Sequence, residues 1–391
     1  MINLSTRGTL SNKIKETLLG RVTLDPFNDS PDNILVTKSL SESLKNDQFA
    51  AVFCKSNIDA SLLSSANPLI VYNISETEHL SEGDVVRIMP SGYIQTLYRK
   101  ESPHNSIFAT DRCNSFCVMC SQPPKNIDDS ELIREHLKLI TLIDPATTQV
   151  LGITGGEPTL LRGDFLRLIS KCRETLPSTS IHVLTNGRMF SYQRFAEHLA
   201  EIKHPSLVLA IPLYSDLDYQ HDHVVQAKKA FEQTVLGMLN LGRNQLRIEI
   251  RVVIHRMTYR RLPELAEFIY RNFPFAYHVA LMGLEPMGFA VPNFDELWID
   301  PVDYQDELIA ATQHLASSGM AVSIYNHPLC VVPQKLWSFS RKSISDWKNE
   351  YLPCCELCSV RGQCGGFFSS SIKRQFSQNI KPILHNNAEM R

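Results

Sequence analysis

The spacing of hydrophobic and polar positions changes near residue 104. Before it, short β-like runs predict strands at 49–53, 69–72, 85–88 and 93–98. The last two runs flank Pro90-Ser91-Gly92, which predicts a hairpin turn. Only the short stretch 12–19 has a helical period. We therefore expect a small, mainly β module over residues 1–103.

From residue 104 onward, strand-like apolar runs alternate with amphipathic helical stretches. The predicted strands are 107–110, 149–153, 181–184, 207–213, 246–254 and 278–282. The predicted helices between them are 130–142, 164–176, 191–202, 223–241 and 262–272. This alternation predicts a parallel sheet, which places chemistry at the carboxyl ends of its strands. Periodicity alone fits either an open sheet or a partial barrel of six βα units.

A helix at 303–317 and a strand at 320–325 lead into a cysteine-rich C-terminal region. With 391 residues, the chain is long enough for two to three domains of roughly 150 residues each. We expect divisions at 1–103, 104–300 and 301–391, with a poorly ordered Ser- and Asn-rich tail after residue 368.

Composition and charge narrow the function classes. The 39 Lys and Arg residues nearly balance 41 Asp and Glu residues, which disfavours a nucleic-acid-binding surface. The longest apolar run, 207–214, is far shorter than the ~20 residues of a membrane helix, and the first residues lack an apolar targeting segment. We expect a cytoplasmic protein with neither nucleic acid nor membrane as a partner.

Ten cysteines in a cytosolic chain favour metal binding, because thiols stay reduced there. Eight of them fall into two groups: Cys113, Cys117 and Cys120, and then Cys330, Cys354, Cys355, Cys358 and Cys364. Cys54 and Cys172 stand alone, and we expect them to be ordinary buried core residues.

The first group is a Cys-x3-Cys-x2-Cys loop directly after the first strand of the alternating region. Three thiolates can hold a [4Fe–4S] cluster and leave one iron open for a ligand. The alternative is a structural zinc site, which normally requires four protein ligands.

Polar turns follow the next two predicted strands. Thr154-Gly155-Gly156-Glu157-Pro158 would let backbone approach a ligand closely, and Thr185-Asn186-Gly187 would offer polar groups to it. Both stretches also suit ordinary turns.

Together, the three-cysteine loop, the Gly-Gly-Glu-Pro turn and the six βα units resemble the radical S-adenosylmethionine (SAM) superfamily over residues 107–289. The stretches 120–125 and 347–368 resemble one subgroup, the His-Xaa-Ser system radical SAM maturases. The resemblance implies a partial (β/α)6 TIM-like barrel with a C-terminal iron–sulfur extension.

The resemblance also implies site residues. Cys113, Cys117 and Cys120 would hold a [4Fe–4S] cluster whose fourth iron is chelated by SAM. The expected SAM contacts are Met119, Gly155, Gly156, Glu157, Asn186, Ser215 and Arg251. Met119 departs from the family, which usually has an aromatic residue there, near adenine. The resemblance assigns no catalytic side chain.

The C-terminal cysteines resemble a SPASM or shorter Twitch extension, which binds an auxiliary [4Fe–4S] cluster. Cys355, Cys358 and Cys364 supply three ligands, and we favour Cys330 over Cys354 as the fourth. A zinc knuckle is the alternative.

The function implied is reductive cleavage of SAM to a 5′-deoxyadenosyl radical that modifies a ribosomally made precursor peptide or small protein. The expected partners are that precursor, a second maturase and a flavodoxin- or ferredoxin-type electron donor. The alternatives are small-molecule cofactor biosynthesis on the same core, or a non-catalytic iron–sulfur or zinc scaffold.

The stretch His221-Asp222-His223 is either catalytic or an ordinary hydrophilic loop. Arg256, Arg260 and Arg261 are expected to be a solvated loop face.

Overall fold

A computed structural model describes residues 4–38, 48–54, 68–74, 76–342, 349–372 and 374–384. Residues 347–348 of the maturase-like stretch and the tail at 385–391 lie outside these ranges. The described strands form two sheets, one before residue 99 and one after residue 104.

The first sheet has eight strands. In chain order they are β1 (Ser5–Arg7), β2 (Thr9–Leu10), β3 (Leu18–Thr23), β4 (Asn33–Thr37), β5 (Ala51–Cys54), β6 (Leu69–Tyr72), β7 (Val85–Ile88) and β8 (Tyr93–Tyr98). Their order across the sheet is β1-β8-β7-β3-β4-β5-β6-β2. Only Gly8 separates the two edge strands β1 and β2, so the two edges meet and the sheet closes on itself. The enclosed side chains form a separate apolar core that includes Val22, Phe53 and Ile88.

The four strands predicted in this region are confirmed, as is the hairpin, because β7 and β8 pair antiparallel around Gly92 with a φ of +78°. The helical period at 12–19 is misleading, since the stretch contains no helix and Leu18 begins β3. Pairing of β3 with β7 and β4 overrides a weak local preference. β1 to β4 lack a clear alternating pattern and were not predicted.

The second sheet has seven parallel strands in sequential order. They are β9 (Asn105–Phe108), β10 (Val150–Thr154), β11 (Ser180–Leu184), β12 (Leu207–Pro212), β13 (Arg247–Ile254), β14 (His278–Gly283) and β15 (Val322–Tyr325). The six predicted strands are present. The strand expected at 320–325 also joins the sheet as β15, pairing with β14, so six strands was one too few.

Nine helices are described: α1 (Leu132–Leu142), α2 (Gly163–Thr175), α3 (Gln193–Glu201), α4 (Asp218–Val225), α5 (Ala230–Arg243), α6 (Leu262–Asn272), α7 (Phe294–Leu297), α8 (Gln305–Ser317) and α9 (Ser369–Ile372). Crossovers between parallel strands are almost always right-handed, so sequential strand order puts the crossover helices on one face. Apolar side chains from that face and from these helices form the main core. The other face is left as the inside of a partial barrel.

The helix predicted at 223–241 is in fact two helices. Gln226 and Lys229 both have a positive φ, 52° and 59°, and the chain turns between α4 and α5. Asp222 stabilises this turn by accepting hydrogen bonds from the backbone N–H groups of Lys229 and Phe231, the latter at 2.8 Å. The sequence pattern missed the break because apolar residues continue at helical spacing on both sides.

The two sheets are joined mainly through α1 and the loop that follows it. Arg21 donates to the carbonyl of Leu142 at 2.9 Å, and the Tyr98 hydroxyl lies 2.7 Å from that of Thr148. Within the described part of the chain, no helix combines the length and apolarity needed to cross a membrane.

Candidate active site at the cysteine loop

The cysteine loop leaves the carboxyl end of β9 and is tied at its base by one buried carboxylate. Asp129 accepts hydrogen bonds from the Thr110 hydroxyl at 2.5 Å and from the backbone N–H of Asp111 at 2.7 Å. Its other oxygen accepts from Arg112 Nε at 3.0 Å. Both ends of the loop are therefore fixed before any ligand binds. Sequence reasoning did not identify Asp129.

The Gly-Gly-Glu-Pro turn lies directly against this loop. The N–H of Gly156 donates to the Thr110 carbonyl at 2.7 Å, and the N–H of Glu157 donates to the Arg112 carbonyl at 2.8 Å. Gly155 has a φ of +145°, and a Cβ there would lie 2.5 Å from the Thr110 oxygen. The backbone that approaches these glycines is thus the cysteine loop itself, which explains why the turn needs them. Their contact with SAM stays a prediction.

Glu157 is fully buried and joins the ends of β10 and β11. One carboxylate oxygen accepts from the Thr159 N–H at 3.0 Å and from the hydroxyls of Thr159 and Thr185 at 2.5 and 2.7 Å. The other accepts from the Asn186 N–H at 2.6 Å. Burial raises the pKa of Glu157, while these hydrogen bonds oppose the rise by stabilising the charged form.

Asn186 and Arg188 hold the middle of the cysteine loop. Asn186 Nδ2 donates to Asn114 Oδ1 at 2.6 Å. Arg188 donates to the Ser115 hydroxyl at 3.0 Å and to the Asn114 carbonyl, and its Nε is held by Gln233 at 2.7 Å. Asn186 was predicted as a site residue, and the structure shows that its side chain contacts the loop. Arg188 was missed, although a cation directly after a polar turn was a usable signal.

The three thiols share one electrostatic environment. Burial raises the pKa of Cys113 to about 11 and that of Cys117 to about 12, and it also raises the pKa of Cys120. The neighbouring thiols Cys120 and Cys113 add to the rise at Cys117, while the charge of Arg188 opposes it. The thiols are therefore neutral at pH 7 unless a metal replaces their protons.

The three thiols of the cysteine loop suit an iron–sulfur cluster better than a single metal ion. Across the described ranges, no three His, Cys, Asp or Glu side chains lie close enough to hold a single metal ion. A [4Fe–4S] cluster needs no such convergence, because each thiolate binds a different iron. Three sulfur donors in one preorganised loop fit such a cluster with one iron left for another ligand.

Met119 and Tyr214 form an apolar wall beside the thiols. Both are buried in a small cluster with residues that include Val224 and Val225, and Cys117 packs against it. Burial raises the pKa of Tyr214, the charges of Cys117 and Cys120 raise it further, and Arg251 opposes them. Tyr214 is therefore near both the thiols and Arg251, a position that sequence reasoning did not assign.

Ser215 and His221 have structural contacts at the start of α4. The buried Ser215 hydroxyl lies 2.6 Å from Gln220 Oε1 and accepts from the Leu217 N–H at 3.1 Å. His221 lies inside α4 rather than in a hydrophilic loop, and burial lowers its pKa to about 4. Its Nδ1 accepts from the Tyr214 N–H at 3.3 Å, which suits a neutral ring. The expected ribose contact of Ser215 stays a prediction.

Four C-terminal cysteines line one small pocket: Cys330, Cys355, Cys358 and Cys364. Cys354 is exposed and does not line it. The Cys364 sulfur accepts hydrogen bonds from the N–H groups of Leu329 at 3.3 Å and Gly366 at 3.4 Å. Amide donors of this kind stabilise a thiolate.

Two other sequence predictions can be compared with the structure. Cys54 and Cys172 are buried, as expected of core residues. Arg261, expected in a solvated face, instead forms a two-pronged ion pair with Asp216 at 2.9 and 2.5 Å. Asp216 follows β12, so this pair connects the loops after β12 and β13.

Residues 107–269 match the family model of the radical SAM superfamily. This stretch contains the three-cysteine loop, the Gly-Gly-Glu-Pro turn and Arg251. The chain thus carries a radical SAM superfamily domain on a parallel α/β sheet, and that part of the sequence resemblance is confirmed.

Among curated relatives, the GTP 3′,8-cyclase of Petrotoga mobilis is 23% identical over 317 residues, which cover 74% of this chain and 94% of that protein. The GTP 3′,8-cyclase of Desulforamulus reducens is 31% identical over 98 residues, covering 24% of this chain and 30% of that protein.

Two solved structures are similar at lower identity. Streptococcus suis SuiB bound to S-adenosylmethionine is 16% identical with a TM-score of 0.43, covering 57% of this chain and 50% of that chain. Native anSMEcpe with bound AdoMet is 15% identical with a TM-score of 0.44, covering 56% of this chain and 62% of that chain. This chain therefore spans about half of SuiB.

Proposed function

We propose that this protein is a radical SAM enzyme that modifies a ribosomally made peptide or small protein, as in a His-Xaa-Ser system. The observation that carries the proposal is the preorganised loop at the carboxyl edge of the sheet, which offers three thiols. A cluster held by three thiolates has one iron free for SAM, whereas a cluster held by four does not.

The chain's own residues would hold and orient the cofactors. Cys113, Cys117 and Cys120 would ligate a [4Fe–4S] cluster, which when bound supplies the electron that cleaves SAM to a 5′-deoxyadenosyl radical. Asn186 and Arg188 would keep the loop in position, since both already hold it. These contacts exist in the protein alone, so the site is largely preorganised.

The walls of the site would orient SAM itself. Arg251 would present its guanidinium to the methionine carboxylate, a geometry that arginine matches with two parallel hydrogen bonds. The apolar wall of Met119 and Tyr214 would exclude water beside the cluster.

The C-terminal pocket would hold an auxiliary [4Fe–4S] cluster. Cys330, Cys355, Cys358 and Cys364 line it together, so each iron would have a protein ligand. A cluster without an open iron cannot bind substrate directly, which leaves electron transfer as its role. A zinc site is the alternative, but the same four donors would have to move together to bind one ion, because no three of the described His, Cys, Asp and Glu side chains converge on a single metal.

Replacing Cys330 and Cys354 separately by Ala tests this ligand set. Cys330→Ala should change the EPR spectrum of the auxiliary cluster, because one iron loses its thiolate. Cys354→Ala should leave the spectrum unchanged, because that exposed residue does not line the pocket. The reverse pattern would assign the fourth ligand to Cys354, and one zinc with no second cluster would make the site structural.

The case for a peptide substrate rests on the cysteine pattern of the C-terminal region, which resembles the extension of peptide-modifying enzymes. SuiB, which is 16% identical to this chain, has been solved bound to precursor peptide SuiA. A precursor, a second maturase and a flavodoxin- or ferredoxin-type donor would complete the system.

A nucleotide substrate is the second candidate. The GTP 3′,8-cyclase of Petrotoga mobilis is matched over 94% of its length, which favours small-molecule chemistry on the same core. An auxiliary cluster in which every iron has a protein ligand would argue against a nucleotide substrate only if that substrate had to bind iron.

Anaerobic reconstitution with iron, sulfide, dithionite and SAM tests the general proposal, and two arms separate the candidates. Formation of 5′-deoxyadenosine supports a radical SAM enzyme, and its absence favours a non-catalytic scaffold. Co-expression with precursor genes from the same locus, followed by mass spectrometry, should reveal a modified peptide. Conversion of GTP by the purified enzyme would instead establish the second candidate.

A further inference from the structure

A group of polar side chains lies on the inner face of the barrel, below the cysteine loop. Along β13, exposure alternates strictly, with Ile248, Ile250 and Val252 buried against the helices. Side chains alternate between the two faces of a strand, so Glu249 and Arg251 point to the inside. In the sheet register, Glu249 is level with His278 on β14, and Arg251 is one layer closer to the carboxyl edge.

Glu249 is the centre of this group. Its Oε2 lies 3.1 Å from His278 Nδ1, and its Oε1 lies 3.5 Å from both His182 Nε2 and Arg251 Nε. His278 is held from its other side by the Ser323 hydroxyl, 3.0 Å from Nε2. Three neighbouring strands, β13, β14 and β15, therefore fix the position of one carboxylate.

Glu249 remains ionised in this position. Burial disfavours its charge, but the hydrogen bond with His278, the nearby His182 ring and the charge of Arg251 hold its pKa well below the usual range. An ionised carboxylate beside the Arg251 Nε restrains the guanidinium from its inner end.

The Arg251 guanidinium keeps hydrogen-bonding capacity for a ligand. Its Nε is buried without a hydrogen-bond partner among the described residues, and its contact with Glu249 at 3.5 Å is longer than a good hydrogen bond. On the other side, its charge acts on Tyr214, which lies next to the thiols. Arg251 is thus one layer closer than the ionised Glu249 to the carboxyl edge of the sheet, the edge from which the cysteine loop leaves.

We propose that Glu249, held by His182 and His278, is a positioning residue that aims the Arg251 guanidinium at the carboxylate of SAM. The proposal rests on the proposed function, because it takes SAM as the ligand. The new element is the Glu249 carboxylate inside the barrel, which does not contact SAM itself and acts through Arg251.

The experiment measures the affinity of the reconstituted full-length enzyme for SAM, from the change that SAM causes in the EPR spectrum of the reduced cluster. Glu249→Gln keeps the shape of the side chain and removes its charge. We expect its Kd for SAM to rise about tenfold, the usual scale for loss of a group that orients a ligand. Glu249→Asp, which keeps the charge, should recover most of the affinity.

Arg251→Ala separates positioning from a general structural effect. If Glu249 acts through Arg251, the double variant Glu249→Gln with Arg251→Ala should bind SAM no more weakly than Arg251→Ala alone. Glu267→Gln is the matched control, because Glu267 pairs with Arg271 and His314 on the outer helices. It should not change the Kd.

The outcomes separate the two proposals. An unchanged Kd in Glu249→Gln, or a further loss in the double variant, would overturn the positioning role. If the wild-type enzyme carries the cluster but its spectrum does not respond to SAM, the proposed function itself fails. Iron content and melting temperature identify a variant that fails to fold, and Ser323→Ala, which frees His278 from its other side, then provides a milder test in the same direction.

Discussion

At the scale of single residues, the site depends on buried polar groups that hold the cysteine loop. Glu157 accepts four hydrogen bonds, Asp129 accepts three, and neither is exposed enough for water to replace a lost partner. Removing an acceptor at such a position leaves buried donors unsatisfied, which costs more than the hydrogen bond itself contributes.

We therefore expect Glu157→Gln to destabilise the protein by about 1–3 kcal/mol, because an amide NH2 would face the Asn186 N–H where a carboxylate oxygen accepted it. The first cluster should also be lost faster, since the turn supports the loop. Urea unfolding and iron content over time measure the two effects. Glu174→Gln, on the exposed surface of α2, is the control, and equal effects in both variants would contradict this role for Glu157.

At the scale of elements, the break between α4 and α5 serves the site. The turn allows α5 to begin at Ala230, so that the Thr234 hydroxyl donates to the Asn186 carbonyl at 3.0 Å and Gln233 holds Arg188. If α4 and α5 were one continuous helix over 218–243, Asp222 would lie in mid-helix and could not accept from the N–H groups that open α5. The first turn of α5 is thus a support for the cysteine loop.

Asp222→Ala should lower the free energy of unfolding by about 1 kcal/mol, the usual effect of losing a carboxylate that caps a helix. It should also weaken the hold of α5 on Arg188, and so increase hydrogen exchange in the cysteine loop. Denaturant unfolding and amide exchange by mass spectrometry measure both. Lys228→Ala, an exposed change in the same turn, should have neither effect, and exchange that stays unchanged in Asp222→Ala would refute the link to the loop.

Sequence reasoning succeeded where one local pattern decides the structure. The parallel strands and the hairpin at Gly92 were predictable because apolar runs and turn residues determine them locally. Glu157 and Asn186 were found as polar residues at strand ends, but their partners were not, since Asn114 and Asn186 are far apart in the chain. Asp129, Arg188 and Glu249 were missed for the same reason, because only the folded sheet brings their partners together.

At the scale of the whole molecule, several buried histidines connect stability to pH. Burial lowers the pKa of His136, His221, His255 and His327 to about 4 each. In the unfolded chain these rings have a pKa of about 6.5, so the unfolded state binds more protons between pH 6.5 and 4. Their contribution to stability is complete above about pH 6.5 and is lost as the pH falls toward 4.

We expect the free energy of unfolding to fall steadily from pH 7 to pH 5, measured by urea unfolding of the full chain. His327→Gln, which removes one of these rings beside Tyr304, should make that fall shallower. His198→Gln, at an exposed histidine of α3, is the control and should leave the slope unchanged. A slope that is the same in all three proteins would show that other groups dominate the pH dependence.

The closure of the first sheet through Gly8 has a consequence for how the chain tolerates shortening. Residues 5–10 pair with β8 on one side and with β6 on the other. Their removal would therefore leave both β8 and β6 as unpaired edge strands. Unpaired edge strands pair with strands of other molecules, so the shortened chain should self-associate while its cysteine loop stays intact. Removal of residues 5–10 should therefore lower the solubility of the protein more than its activity.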